Sequence, residues 1–135
     1  VGLNTELGAT PAERSLHLNS AYPWGEGWPP PADAGNYSPA LKVDQYDYTS
    51  PVGSFSANEH GLYDLGGNTW EWCQDWYDAE HTFRTLRGAS WVDATPGSLR
   101  SAYRHGSLPQ TRNFNHGFRI VLAFVPADPS RRTGG

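Results

Sequence analysis

Cysteine occurs once, at position 73, and methionine does not occur at all. A single thiol cannot close an internal disulfide and cannot supply the thiolate cluster of a structural zinc site. It also leaves the redox compartment open, so localisation is unknown from composition, and a cell-surface or secreted setting stays compatible with it. Long apolar runs are missing: nothing approaches the roughly eighteen residues a membrane-spanning helix needs, and no charged-then-apolar leader is visible. No membrane span and no signal peptide are therefore expected in this chain. With no initiator methionine, the chain is expected to start inside a longer parent or after processing. Positive charge is sparse and scattered, 10 Lys and Arg against 14 Asp and Glu for a net charge of −4, so no nucleic-acid partner is expected.

What is abundant is loop-forming and aromatic. Fifteen Gly and 11 Pro among 135 residues argue against a helical protein, while 6 Trp, 7 Tyr and 5 Phe argue against disorder. The length suits one domain with a real core. That domain is expected over residues 1–125, with 126–135 as a flexible tail. No internal repeat is visible, and low helix content is expected.

The richest stretch is Gly61 to Tyr77, GLYDLGGNTWEWCQDWY. It opens as a strand start, breaks at Gly66-Gly67, and then alternates polar and aromatic residues. Period-two alternation puts Trp70 and Trp72 on one face of an extended chain and Glu71 and Cys73 on the other. The diglycine permits positive φ and close backbone approach, and Asp64, Asn68 and Glu71 bring oxygen-bearing side chains beside it. An oxygen-rich turn next to a tryptophan core suggests a hard-cation site on a structural hub.

Along the rest of the chain, Thr10-Pro11-Ala12-Glu13 reads as a capped helix start. Tyr22-Pro23-Trp24-Gly25 reads as an aromatic turn, and Trp28-Pro29-Pro30-Pro31 as a rigid surface loop rather than a proline-rich recognition segment. A long loop from Gly35 to Phe55 carries Asn36 and, within a dozen residues of it, Asp44, Tyr46, Asp47 and Tyr48. Calcium takes six to eight oxygens, many of them loop carbonyls, yet spacing alone favours ordinary solvated turns here. Arg84 to Trp91 reads as a strand entering a turn, His105 to His116 as polar and irregular, and Gly117 to Phe124 as a buried final strand.

The ordered series YPWG, GNY, SPVGSF, GLYDLGGNTWEW, LRGASW, RSAYR and GFR resembles the formylglycine-generating enzyme (sulfatase-modifying factor) family. The resemblance runs from about Tyr22 to Phe124. It implies an α+β, loop-rich variant of the C-type lectin fold with little regular secondary structure, here without the family's N-terminal portion. It also implies up to two structural Ca2+ sites. In the first, Asn36 and Asp44 would give side chains and Tyr37 and Tyr46 carbonyls. In the second, Asp64 and Glu71 would give carboxylates, and Leu65, Gly67 and Thr69 carbonyls. Asp64 stands where the family has Asn, which keeps an oxygen and adds charge.

The family's oxidase uses two active-site cysteines with thiolate-bound copper, placed between the segments that here read LRGASW and RSAYR. This chain has Val92, Asp93, Ala94, Thr95, Pro96, Gly97, Ser98 and Leu99 there. Soft-metal redox chemistry requires thiolates, so neither copper nor a catalytic residue is expected, and Cys73 reads as a small buried residue. A second branch of the family binds non-haem iron, but His17, His60, His81, His105 and His116 are dispersed and show no ligand spacing. Arg87, Arg100, Arg104, Arg112 and Arg119 suit an anion site but fit better as partners of carboxylates and carbonyls within a loop-rich fold. The chain is also similar to the variable proteins of diversity-generating retroelements, which use the same fold for binding. That likeness implies a non-catalytic domain binding a protein or other surface ligand through Val92, Asp93, Tyr103, His105, Ser107, Phe114 and His116. The alternative is an accessory part of an oxidoreductase whose active site is completed elsewhere.

Overall fold

The computed structural model describes residues 10–12, 21–58 and 60–122. The hub becomes strand β1, Trp70–Trp76, as its alternation requires. Arg84–Arg87 (β2) turns back antiparallel to it, with Glu71 opposite Arg87 and Trp72 opposite Leu86. The ladder then slips before Trp76 meets Arg84: four steps on β1 face two on β2, so β1 bulges outward there. Strand β3, His105–Ser107, pairs antiparallel with β2, and β4, His116–Phe118, runs parallel to β1. The order β3-β2-β1-β4 places the aromatic hub inside the sheet and β4 at its edge. A short 3-10 turn, Pro39–Leu41, is capped by the Ser38 hydroxyl, which accepts from the Ala40 amide.

The core is small and aromatic. Tyr22, Tyr37, Val43, Trp70, Leu86, Ala89 and Leu99 form it, with Trp24, Trp72 and Tyr103 packed around. Tyr22 stacks on Trp24 at 4.6 Å between ring centroids, Trp24 meets Tyr37 edge-on at 5.6 Å, and Trp28 folds back to 5.9 Å from Tyr22. Rings carry the packing because the loops supply few aliphatic side chains. Each buried large side chain stabilises by roughly 1.5–3 kcal/mol.

Four expectations change. Residues 61–63 are not a strand start: the Asn58 carboxamide oxygen accepts from the His60 and Leu62 amides, and that turn takes the chain out of extended geometry. The stretch from His105 to His116 is not wholly irregular, since its two ends join the sheet as β3 and β4. Cys73 is half-buried rather than buried. The final apolar run is not a buried strand. Regular pairing ends at Phe118, and Ile120 and Leu122 are 85% and 86% exposed. An edge strand is buried only if another layer covers it, and no element among the described residues lies over this one. Glu13 of the capped helix start and all of the 126–135 tail fall outside the described residues; Pro11 and Ala12 are helical, and the Ala12 amide donates to the Tyr77 carbonyl.

Candidate calcium loops and an aromatic surface

The two oxygen-rich stretches meet at Asn68. Its backbone takes φ +61°, a left-handed conformation that Asn tolerates better than most residues. Its amide donates to the Asn36 carbonyl at 2.7 Å. Its side chain clasps Ser50, donating to the carbonyl at 3.2 Å and accepting from the amide at 3.1 Å. Gly67, at φ +80°, lies so close to the same loop that a Cβ there would sit 2.3 Å from the Asn36 carbonyl oxygen. The loop at 36–50 and the turn at 64–69 are thus locked together by residues that are polar yet buried.

Within the first set, the Asp44 carboxylate accepts from the Tyr37 amide at 3.0 Å and from the Tyr46 amide at 2.8 Å. That one side chain draws Tyr37, Asp44 and Tyr46 into a knot beside Asn36. Asn36 is 1% exposed; its amide nitrogen donates to the Tyr48 carbonyl at 2.8 Å, while its carboxamide oxygen is buried with no donor. An orphaned buried oxygen next to a carboxylate fits a hard cation, because leaving it unpaired is costly. Tyr37 is fully buried, and desolvation pushes its phenol well above the usual tyrosine range.

The second set lines a cavity of about 460 Å³ that takes in Asp64, Gly67, Thr69 and Glu71, with Val52, Tyr63, Phe118 and Arg119 around them. Leu65 is not in that lining; its carbonyl and that of Thr69 both face Gly88, 3.3 and 4.0 Å from where a Cβ would stand. One Asp64 carboxylate oxygen accepts from the Gly53 amide at 2.6 Å, and the other is buried without a donor. Glu71 is different. Arg119 Nε donates to both of its oxygens, at 3.1 and 3.0 Å, and the Arg119 terminal nitrogen donates to Glu71 Oε1 at 2.6 Å and to the Asp64 carbonyl at 3.1 Å. The Glu71 bond holds the guanidinium pKa above its ordinary value. Asp64 thus keeps one buried carboxylate oxygen without a donor, whereas Glu71 is paired with a guanidinium.

Of the seven expected surface residues, Val92, His105 and Phe114 are exposed, and Asp93, Tyr103 and His116 are half-buried. Ser107 is buried, because β3 pairs it with Arg84 on the inner strand β2. The Asp93 carboxylate turns inward, accepting from the Ser90 amide at 2.9 Å and the Ser90 hydroxyl at 2.6 Å. Tyr103 and His105 lie against Trp70, at 5.9 and 5.7 Å, and His116 meets Trp72 edge-on at 5.5 Å. Phe114, 72% exposed, rests on Trp91 at 5.7 Å. Tyr48, 71% exposed, meets Trp91 edge-on at 5.2 Å. Asn115 donates to the Ser90 hydroxyl at 3.0 Å, so the polar knot at Ser90 backs this aromatic ridge.

The partnerships of four residues are not visible in the sequence. Asn68 looks like one more polar residue of the diglycine turn, Tyr48 and Trp91 are 43 positions apart, and Arg119 joins Glu71 across 48 positions. Only the GFR segment pointed toward Arg119, as a partner for some carboxylate. Arg87 and Arg104 likewise serve backbone carbonyls, those of Ser101 and Ala102.

A loop-dominated domain built on a short mixed sheet with a tryptophan hub is the formylglycine-generating, C-type lectin-like architecture. The chain belongs to the family of the sulfatase-modifying factor enzyme 1-like domain, whose pattern matches residues 3–124. It is 40% identical over 120 residues to the inactive C-alpha-formylglycine-generating enzyme 2 of Bos taurus, covering 82% of this chain and 40% of that protein. It is 37% identical over 161 residues to the formylglycine-generating enzyme of Thermomonospora curvata, covering 94% of this chain and 49% of that one. The chain thus spans under half the length of these relatives. Among solved structures, Treponema denticola variable protein 1 superposes with a TM-score of 0.52 at 24% identity, over 67% of this chain and 45% of that one, a likeness of fold.

Proposed function

We propose that this chain is a non-catalytic binding domain on a calcium-stabilised scaffold, presenting the 92–116 surface to a protein or other surface ligand. The observation that carries the proposal is the ridge Tyr48–Trp91–Phe114: two aromatic rings more than two-thirds exposed, each packed on a third whose chain neighbour Ser90 belongs to a buried polar knot. Exposing large rings is unfavourable without a use for them, and rigid aromatics are the residues that anchor interfaces. The absence of any cysteine in residues 92–99 supports a role other than thiolate-copper oxidation, and the inactive relative shows that the family includes proteins described as inactive.

Two measurements test it. Incubation with a cysteine-containing peptide and copper is expected to give no aldehyde product; turnover would overturn the non-catalytic assignment. A displayed peptide library selected on the wild-type chain is expected to yield binders that lose binding to Phe114→Ala and to His105→Ala. Binders indifferent to both would place recognition elsewhere. If the surface is diversified, DNA near the gene is expected to hold a near-copy of codons 86–119 whose mismatches fall only at template adenines.

A further inference from the structure

We propose that Arg119 is the resident cation of the second oxygen set, so that the native chain takes one tightly held calcium ion, at Asn36–Tyr37–Asp44–Tyr46, rather than two. The proposal rests on the calcium reading above and narrows it.

The two sets differ in what already satisfies them. In the first, no cationic side chain approaches among the described contacts: Asp44 holds only neutral amides, and the Asn36 carboxamide oxygen has no donor. In the second, one Asp64 carboxylate oxygen also lacks a donor, but three hydrogen bonds run from one guanidinium to Glu71, and a fourth to the Asp64 carbonyl. A guanidinium fork against a carboxylate is a charge-assisted, geometrically matched pair. It brings positive charge to the side-chain oxygens a metal would need and borrows one backbone oxygen of the same turn. A calcium ion placed there would meet a fixed positive charge a few ångströms away and would have to displace it from Glu71. Binding therefore costs the pair as well as the dehydration of the ion. The pair is anchored at both ends: β1 fixes Glu71, and Arg119 directly follows β4, which is paired to β1 at Trp70–Trp72. Arg119 thereby ties the edge strand to the turn at 64–69, doing mechanically what the second ion would do.

Equilibrium dialysis of the chain against calcium counts the ions directly. One tightly bound ion is expected in the wild type, lost in Asp44→Ala. Arg119→Gln is expected to bind a second ion roughly tenfold or more tighter than the wild type does, a difference of about 1.4 kcal/mol. Two equally tight ions in the wild type would overturn the proposal while leaving the calcium reading intact, and so would a single ion in both proteins. No ion in either would sink the calcium reading itself and this proposal with it. If Arg119→Gln does not fold, the wild type still decides. The Arg119 Nε–H resonance is expected to stay in place while the first equivalent of calcium binds and through a severalfold excess. A shift that tracks calcium within two equivalents would show that the guanidinium gives way to the metal.

Discussion

Asn68→Ala is the substitution that weighs most heavily on this scaffold. The side chain satisfies both the amide and the carbonyl of buried Ser50. Deleting it leaves two buried backbone groups unpaired at about 1–3 kcal/mol each. Alanine must also hold φ +61°, which costs it roughly 1–2 kcal/mol. Together these come to about 3–8 kcal/mol, against a total stability for such a domain of roughly 5–15 kcal/mol. Asn68→Gly separates the terms, because glycine occupies the left-handed region freely. It is expected to lose the hydrogen bonds and keep the conformation, and so to be about 1 kcal/mol more stable than the alanine variant. Urea unfolding followed by tryptophan fluorescence measures both. If Asn68→Ala cost less than about 1 kcal/mol, or the glycine variant were the less stable, the clasp would not be holding the two loops together.

Three other expectations follow from single residues. Gly67→Ala would drive a Cβ to 2.3 Å from the Asn36 carbonyl oxygen at φ +80°, so it is expected to unfold the chain or separate the two loops, read as a lower Tm. His116 has a pKa lowered first by burial and then by His105. Its unfolded form therefore binds a proton more readily than its folded form, and stability falls as pH drops below the ordinary histidine value. A Tm series from pH 7.5 to pH 5 should fall in the wild type and fall less in His116→Gln; equal slopes would refute the linkage. Burial pushes the Cys73 thiol up, so at neutral pH it should react with a disulfide reagent more slowly than free cysteine, and as fast once the chain is denatured.

The parts of the fold legible in the sequence were those written at short range. Alternation from Trp70 to Trp76 specified β1 because side-chain direction in a strand is a period-two property, and the turn at Tyr22–Gly25 closes on its own backbone hydrogen bonds. What could not be read was decided by pairs distant in sequence. The pairing of Glu71 with Arg119 joins residues 48 positions apart, beyond the reach of any local pattern. Ser107 looked like a surface residue until β3 placed it against β2. The run through Ile120 and Leu122 looked like core because hydrophobicity reports what a segment could bury, whereas its cover depends on a layer from elsewhere. The ridge of Tyr48, Trp91 and Phe114 likewise exists only because three separate loops converge.

Thermal unfolding of the wild type and Asp44→Ala, each with excess calcium and with chelator, tests the calcium-stabilised scaffold most directly. An ion held at a hundredfold excess over its Kd contributes about 2.7 kcal/mol, which for a domain of this size shifts Tm by roughly 5–15 °C. The wild type should show that shift and Asp44→Ala should show none. A wild-type Tm that chelator leaves unchanged would contradict the scaffold and leave its loops held by Asn68, Asp44 and Arg119 alone.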